Sequence, residues 1–420
     1  MSLAPGRIVG IIVGALAILG IGVYGPAMLL GPLPDVTVKV EGAADAAGEP
    51  PAPIVLPGTG ANALAVIADD GSAKTLALGG EAGVVPVGGA AKLVAVLATL
   101  ESLPLPAEGA GPGIPIGPAD YTDYLKYSGE GSRALQVSPG ETWTERDVVR
   151  AVLLASSNNH ADTLVRWAFG GVEPYVAAAN EWLAENGFES TRVDDATGLS
   201  GDNVGTAEEL TRLVALALAD PEIAEIFDGS ATPTPTPGTR NVPDIAAHLE
   251  GDGVRSISRS FTDQAGLCLL FTAEIPGAEG DEPRRIVGAM LRMPDYETLD
   301  PAVLAALEST KVAAQPITVI TSGTAYAEVE APWGDRGELV ASTTRTAVAW
   351  GTALGETSVT VEPFSTAAKG RDVGRAAVPT ATGEIASPLE LSADIRDPGP
   401  LWRLSHPVEL ISAFVADQER

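Results

Sequence analysis

At 420 residues the chain is longer than the roughly 250–300 residues at which one hydrophobic core stops growing, so two globular units are expected. A content of 45% hydrophobic and 19% charged residues excludes a wholly disordered protein, while 47 Gly and 33 Pro predict many turns and linkers. The formal charge of −29 argues against wrapping nucleic acid or docking on anionic lipid, because like charges repel; otherwise it is a solubility feature.

In chain order, the first feature is apolar. No charge lies between Arg7 and Asp35, enough chain to cross a bilayer of about 30 Å as a helix. Residues 1–34 therefore read as a cytoplasmic stub and a transmembrane signal-anchor helix. The positive charge before it and the acidic body after it predict a single-pass protein of the cell membrane with an extracytoplasmic body. A cleaved signal peptide is the rival reading. Residues 35–59, small and rich in Pro and Gly, read as a linker.

The segment 60–312 reads as an α+β domain. Two short apolar runs flank Asp69-Asp70-Gly71 and signal a β-hairpin, which leads into an apolar helix carrying Lys92. Helices follow over "TERDVVRAVLLA", "HADTLVRWAF", "PYVAAANEWLAENG" and "TAEELTRLVALALA". The first and last open on Thr144 with Asp147 and on Thr206 with Glu209, at capping-box spacing. Strands return at Arg255–Phe261, Leu267–Glu274 and Arg284–Arg292, separated by a turn at Asp263 and a loop over 276–283. This order predicts a sheet that joins both ends of the segment. The Thr-Pro repeat at 232–238 reads as a stiff exposed loop, with O-glycosylation as the less favoured alternative. From 313 to 420 short alternating runs punctuated by Gly and Pro predict a β-rich, sandwich-like domain, with Trp333, Trp350 and Trp402 assigned to its core. Cys268 is the single cysteine, and His160, His248 and His406 have no metal-ligand spacing, so neither a disulfide nor a metal or other cofactor is expected.

Four ordered stretches carry a resemblance: "PVGGAAK" (86–92), "LLASSNNHADTL" (153–164), "DATGLSGDNVGTAEEL" (195–210) and "SISRSFTDQAGLCLL" (256–270). Together they resemble the D-alanyl-D-alanine carboxypeptidase family of low-molecular-mass penicillin-binding proteins. The resemblance implies a DD-peptidase/β-lactamase-like domain followed by a β-rich domain. It also implies three motifs. The first is Ser-x-x-Lys, in which a buried lysine of lowered pKa deprotonates the serine for attack on a peptide carbonyl. Here Lys92 stands alone, because the serine position is Gly89, and no other lysine in the chain has a serine three residues before it.

The second motif, Ser-x-Asn, is intact as Ser156-Ser157-Asn158. In the family its serine relays a proton and its asparagine holds the substrate amide; here both are expected to satisfy buried Lys92 or to cap a helix turn. His160 is expected to be a solvated or capping residue. The third motif, Lys-Thr-Gly, maps onto Ser258, Arg259 and Ser260. In the family its lysine attracts a substrate carboxylate. Strand alternation places Ser256, Ser258 and Ser260 on the cleft side, with Thr262 further along, and turns Arg259 away. The resulting expectation is a membrane-tethered pseudoenzyme that acts as a binding or scaffolding module, with peptidoglycan stem peptides or cell-wall proteins as partners. The alternative is a working D-Ala-D-Ala carboxypeptidase that uses Ser156 as nucleophile.

Overall fold

The computed structural model describes residues 12–15, 18, 20–40, 50–107, 109–228, 240–277, 282–380 and 383–418. Arg7, the Thr-Pro repeat at 232–238 and part of the 276–283 loop lie outside these residues. The chain divides into two units, Ala52–Gln315 and a second that joins Met1–Pro51 to Pro316–Arg420.

In the first unit the hairpin read around Asp70 is formed by β1 (Ala61–Ile67) and β2 (Ala73–Gly80). The three late runs are β3 (Val254–Thr262), β4 (Gly266–Ile275) and β5 (Arg284–Met293). All five make one antiparallel sheet of order β2-β1-β5-β4-β3, so the two ends of the segment meet where β1 pairs with β5. β4 is buried along almost its whole length, consistent with helices covering both faces of the sheet.

Between the strands run α1 (Ala91–Ser102), α2 (Pro118–Gly129), α3 (Glu145–Leu153), α4 (Asn158–Phe169), α5 (Val172–Glu185), α6 (Ala207–Ala219) and α7 (Pro221–Asp228), and α8 (Tyr296–Ala313) follows β5. α1 is buried on every side from Ala91 to Leu100, as its apolar sequence requires. It packs on α3, α4, α5 and α6, and α6 in turn lies on β1 and β5. The threonine caps form as read: the hydroxyl of Thr144 accepts from the Asp147 N–H and that of Thr206 from the Glu209 N–H, both at 3.1 Å. Each satisfies a backbone donor that a helix start leaves orphaned.

The second unit is built on a six-stranded antiparallel sheet, ordered Thr37–Val40, Ala325–Glu330, Arg336–Ala341, Gly383–Leu391, Asp372–Thr380, Ser358–Val361. A separate pair, Pro316–Ile320 with Arg345–Val348, packs its Val319, Ile320 and Ala347 into the same core. One expectation changes here. Residues 35–59 are not linker throughout, because Thr37–Val40 pairs with Ala325–Glu330 and satisfies the edge of that sheet. The tail is β-rich as expected, and two helices, Pro400–Ser405 and Pro407–Gln418, close it. Of the three tryptophans Trp350 is buried, while Trp333 and Trp402 are half-buried and meet edge to face at 5.5 Å between ring centres.

At the start of this unit Ile12–Leu30 forms one helix long and apolar enough to cross a membrane, with Ile18 and Ile21 among its exposed side chains. Its C-terminal end is tied down within the same unit. The Tyr24 hydroxyl donates to the Leu404 carbonyl at 2.8 Å, the Arg403 guanidinium donates to the Gly31 carbonyl at 2.8 Å, and Met28 and Leu33 pack with Leu410.

Candidate active site

The site is assembled at the N-terminal end of α1. A 3₁₀ turn over Gly88–Ala90 leads into the helix and places Lys92 in its first turn, where the side chain is only 6% exposed. An ammonium in that position loses its hydration, so burial pulls Lys92 from 10.5 down to about 7; Asp195 opposes the shift and the Arg133 charge reinforces it. Its Nζ donates to the Thr197 carbonyl at 2.5 Å. This corrects the expectation that Ser156 and Asn158 would satisfy the amine: both are buried and line the same cavity, but the acceptor is a backbone carbonyl of the "DATG" segment.

That segment is rigid for a reason. The Asp195 carboxylate accepts from the N–H groups of Thr197, Gly198 and Ser200 at 2.6–2.8 Å. Gly198 has φ +80°, and a Cβ there would lie 2.0 Å from the Gly88 carbonyl oxygen. Only glycine lets the loop approach the turn that opens α1.

The second motif sits at the turn between α3 and α4. Ser156 has φ +49°, a left-handed conformation uncommon for a residue with a side chain. Ser157 is buried, its hydroxyl 2.9 Å from His160 Nδ1 and donating to Asn159 Oδ1 at 2.8 Å. His160 is therefore neither solvated nor a helix cap. It is fully buried, its ring centre lies 4.3 Å from that of Trp143, and burial holds its pKa down at about 4, which keeps the imidazole neutral. The Asn158 N–H donates to the Arg133 carbonyl at 2.9 Å, and the Leu135 N–H donates to Asn159 Oδ1 at 3.1 Å. The turn thus clamps the Gly131–Leu135 loop.

On β3 the expected alternation holds in part. Ser258 and Ser260 face the cleft, whereas Arg259 turns away and donates to the Tyr296 hydroxyl at 3.1 Å and the Ile245 carbonyl at 2.5 Å. Ser256 does not share the cleft. A bulge between Ser256 and Ser258 adds one residue against β4 and resets the alternation, and the Ser256 hydroxyl donates to the His248 carbonyl at 3.2 Å. Thr262 lines the cavity, but its hydroxyl accepts from the Ala265 N–H in the hairpin turn.

These pieces surround a cavity of about 240 Å³, lined among others by Gly89, Lys92, Ser156, Asn158, Ser260 and Thr262. A narrower recess of about 10 Å³ beside Gly89 reaches Ser258 and has room for a single water at most. The space a nucleophile would need is occupied. A Cβ on Gly89 would lie 2.8 Å from the Ser260 Cβ, 3.1 Å from its Oγ and 3.8 Å from Lys92 Nζ. The Ser260 hydroxyl instead accepts from the Gly89 N–H at 2.9 Å. The cleft thus holds an amine whose pKa is lowered to about 7 and several hydroxyls, but no hydrogen bond joins a serine hydroxyl to Lys92 Nζ among the described residues.

Sequence reasoning missed Arg133, which lines the cavity and donates from Nη1 to the Arg259 carbonyl at 2.6 Å. It sits in an irregular loop, 41 positions from Lys92 and 126 from Arg259, so no periodicity marks it. Asp195 and Thr197 lay in a stretch singled out, yet nothing in its spacing pointed to a carbonyl aimed at Lys92.

A family model described as D-alanyl-D-alanine carboxypeptidase matches residues 63–279. A D-alanyl-D-alanine endopeptidase of Pseudomonas aeruginosa is 28% identical over 250 residues, covering 57% of this chain and 76% of that protein. The D-alanyl-D-alanine carboxypeptidase DacB2 of Mycobacterium tuberculosis is 34% identical over 93 residues, 21% of this chain and 32% of that protein. Among solved structures, penicillin binding protein 5 from Haemophilus influenzae superposes with a TM-score of 0.53 at 16% identity, covering 82% of this chain and 100% of that one. At that identity the likeness shows the fold, a DD-peptidase domain with a β-rich domain.

Two predictions arise from the geometry. Unfolded Lys92 binds its proton up to 10.5 and folded Lys92 only up to about 7, so its burial penalty is fully present below pH 7 and fades as pH rises towards 10.5. Lys92→Met, which removes the ionisable group, should therefore gain on the wild type most at pH 6, and the gap should narrow by pH 10; urea melts across that range measure it. Equal gaps at both ends would mean the amine is not held neutral. Secondly, Gly89→Ser should be destabilised by overpacking against Ser260, and adding Ser260→Gly should recover about 1–3 kcal/mol, read from the same melts.

Proposed function

The chain belongs to the D-alanyl-D-alanine carboxypeptidase family, and from that premise we propose that it is a member without peptidase chemistry, a membrane-tethered module that binds peptidoglycan stem peptides at the cell wall. One observation carries the reading. Position 89 has no side chain to attack a carbonyl, and the volume beside it is filled by Ser260. Covalent catalysis needs a nucleophile within hydrogen-bond reach of its base, and the amine of Lys92 is engaged with a carbonyl instead.

The open cavity, the intact Ser156 and Asn158, and the relatives named for D-alanyl-D-alanine peptides favour retained peptide binding over a purely structural relic. The apolar helix Ile12–Leu30 supports tethering, with the acidic body on the extracytoplasmic side. A second reading rests on Ser156, whose left-handed backbone is the kind of local strain that gathers at active sites and which lines the same cavity as a lysine whose pKa burial lowers to about 7. In it Ser156 attacks and Lys92 takes the proton.

Incubation with a β-lactam should give no mass increment, and incubation with a D-Ala-D-Ala peptide no release of D-Ala. An adduct that vanishes in Ser156→Ala would establish the second reading in place of the first. Tethering predicts that the full chain stays with membranes through a high-salt wash, because salt screens ionic attachment but not a buried helix. Recovery of the full-length chain in the soluble fraction would contradict it.

A further inference from the structure

We infer that the two helices that close the β-rich unit, Pro400–Ser405 and Pro407–Gln418, lie in the extracytoplasmic interface of the bilayer with one apolar face in the lipid, beside the outer end of the apolar helix. The inference rests on Ile12–Leu30 crossing the membrane and adds a second lipid contact to that helix.

On the surface of a globular body a helix turns its apolar stripe inward and its polar face to water. Pro407–Gln418 does the reverse. Leu410 is its one buried residue, whereas Val408, Ile411, Phe414 and Val415 are each more than half exposed. The spacing 408, 411, 415 sets three of them on one stripe. Leu401, 85% exposed, and Leu404 add apolar surface from the preceding helix. Single exposed leucines are ordinary, but a helix with its apolar stripe outward calls for a cover. Charge is kept off the stripe. Glu409 and Asp417 line a recess with Pro32, Leu33, Pro34 and Asp35, and the Arg403 guanidinium is paired with Asp397 at 2.6 Å.

What covers the stripe follows from what the two helices are bonded to. The Tyr24 hydroxyl donates to the Leu404 carbonyl at 2.8 Å. At a rise of 1.5 Å per residue Tyr24 lies about 9 Å short of Leu30 along the apolar helix. The bond therefore holds the closing helices beside the last turns of that helix rather than beyond its end, where Leu29 and Leu30 are exposed as well. An interfacial helix sinks about 5–10 Å into the boundary between headgroups and acyl chains, the same depth. Trp333 and Trp402 pack with Met28, Leu33 and Leu410, and together with Tyr24 they gather aromatic rings where membrane proteins place them, at the lipid–water interface. Neither closing helix holds a lysine, so the contact is apolar and asks for no anionic headgroup.

The test uses the full chain carrying Cys268→Ala, reconstituted in phosphatidylcholine vesicles. A nitroxide is attached to one cysteine introduced in turn as Ile411→Cys, Val415→Cys, Glu384→Cys and Ile21→Cys. Power saturation of its resonance by oxygen, which collects in lipid, and by a nickel chelate, which stays in water, reads its depth. The labels at 411 and 415 should lie about 5–10 Å below the phosphates, the label at 384 in water and the label at 21 in hydrocarbon. All four positions are exposed, and circular dichroism confirms that each labelled chain is folded. Labels at 411 and 415 as open to nickel as the one at 384, with that at 21 in lipid, overturn the inference and leave the tether intact. Low access to both reagents with spin–spin broadening at 411 and 415 shows a second copy covering the stripe, and overturns it too. A label at 21 that reads as water-exposed overturns tether and inference together.

Discussion

The site is organised by the cost of burying one amine. Lys92 comes from the first turn of a helix that is apolar on every side, and an ammonium there would be costly without a partner. The Thr197 carbonyl is that partner, and holding it in place requires the rest of the arrangement. Asp195 gathers three N–H groups of the loop, and Gly198 brings the loop against the Gly88 carbonyl. Loop, turn and helix are thereby locked around a group that spends much of its time neutral near pH 7.

Against this background, the absence of a side chain at position 89 is a repacking rather than a hole. Two of the four positions at which the chain departs from its family's motifs, Gly89 and Ser260, lie in contact, one lacking the motif's side chain and the other holding one where the motif has glycine. The exchange conserves volume, so it costs the core little, and the Ser260 hydroxyl satisfies the Gly89 N–H that a helix start would otherwise leave open. The two changes are also coupled, since restoring one side chain alone crowds the other.

The second unit follows a different logic. Its sheet takes its first strand from Thr37–Val40, just after the apolar helix, and all its other strands from the C-terminal hundred residues. The helix end is bonded to the closing helices through Tyr24 and Arg403. Segments near both ends of the sequence, residues 24–40 and 400–418, therefore contribute to one folded body.

Much of this protein was legible in sequence. Alternating and helical periodicities, two threonine caps and the ordered motifs pointed to the α+β domain, the family and the grouping of Gly89, Lys92, Ser156 and Asn158, which line one cavity, because local patterns and covalent spacing are properties of neighbouring residues. The partner of Lys92, the rotation of Ser256 out of the cleft, the burial of His160 against Trp143 and the arrival of Arg133 were not legible. Each depends on residues far apart in the chain or, for Ser256, on a bulge that strand alternation does not announce. Sequence determined which chemistry was available and which was missing. Tertiary structure decided what fills the missing nucleophile's place and which cation faces the cavity, because volume and charge are settled only when distant segments pack together.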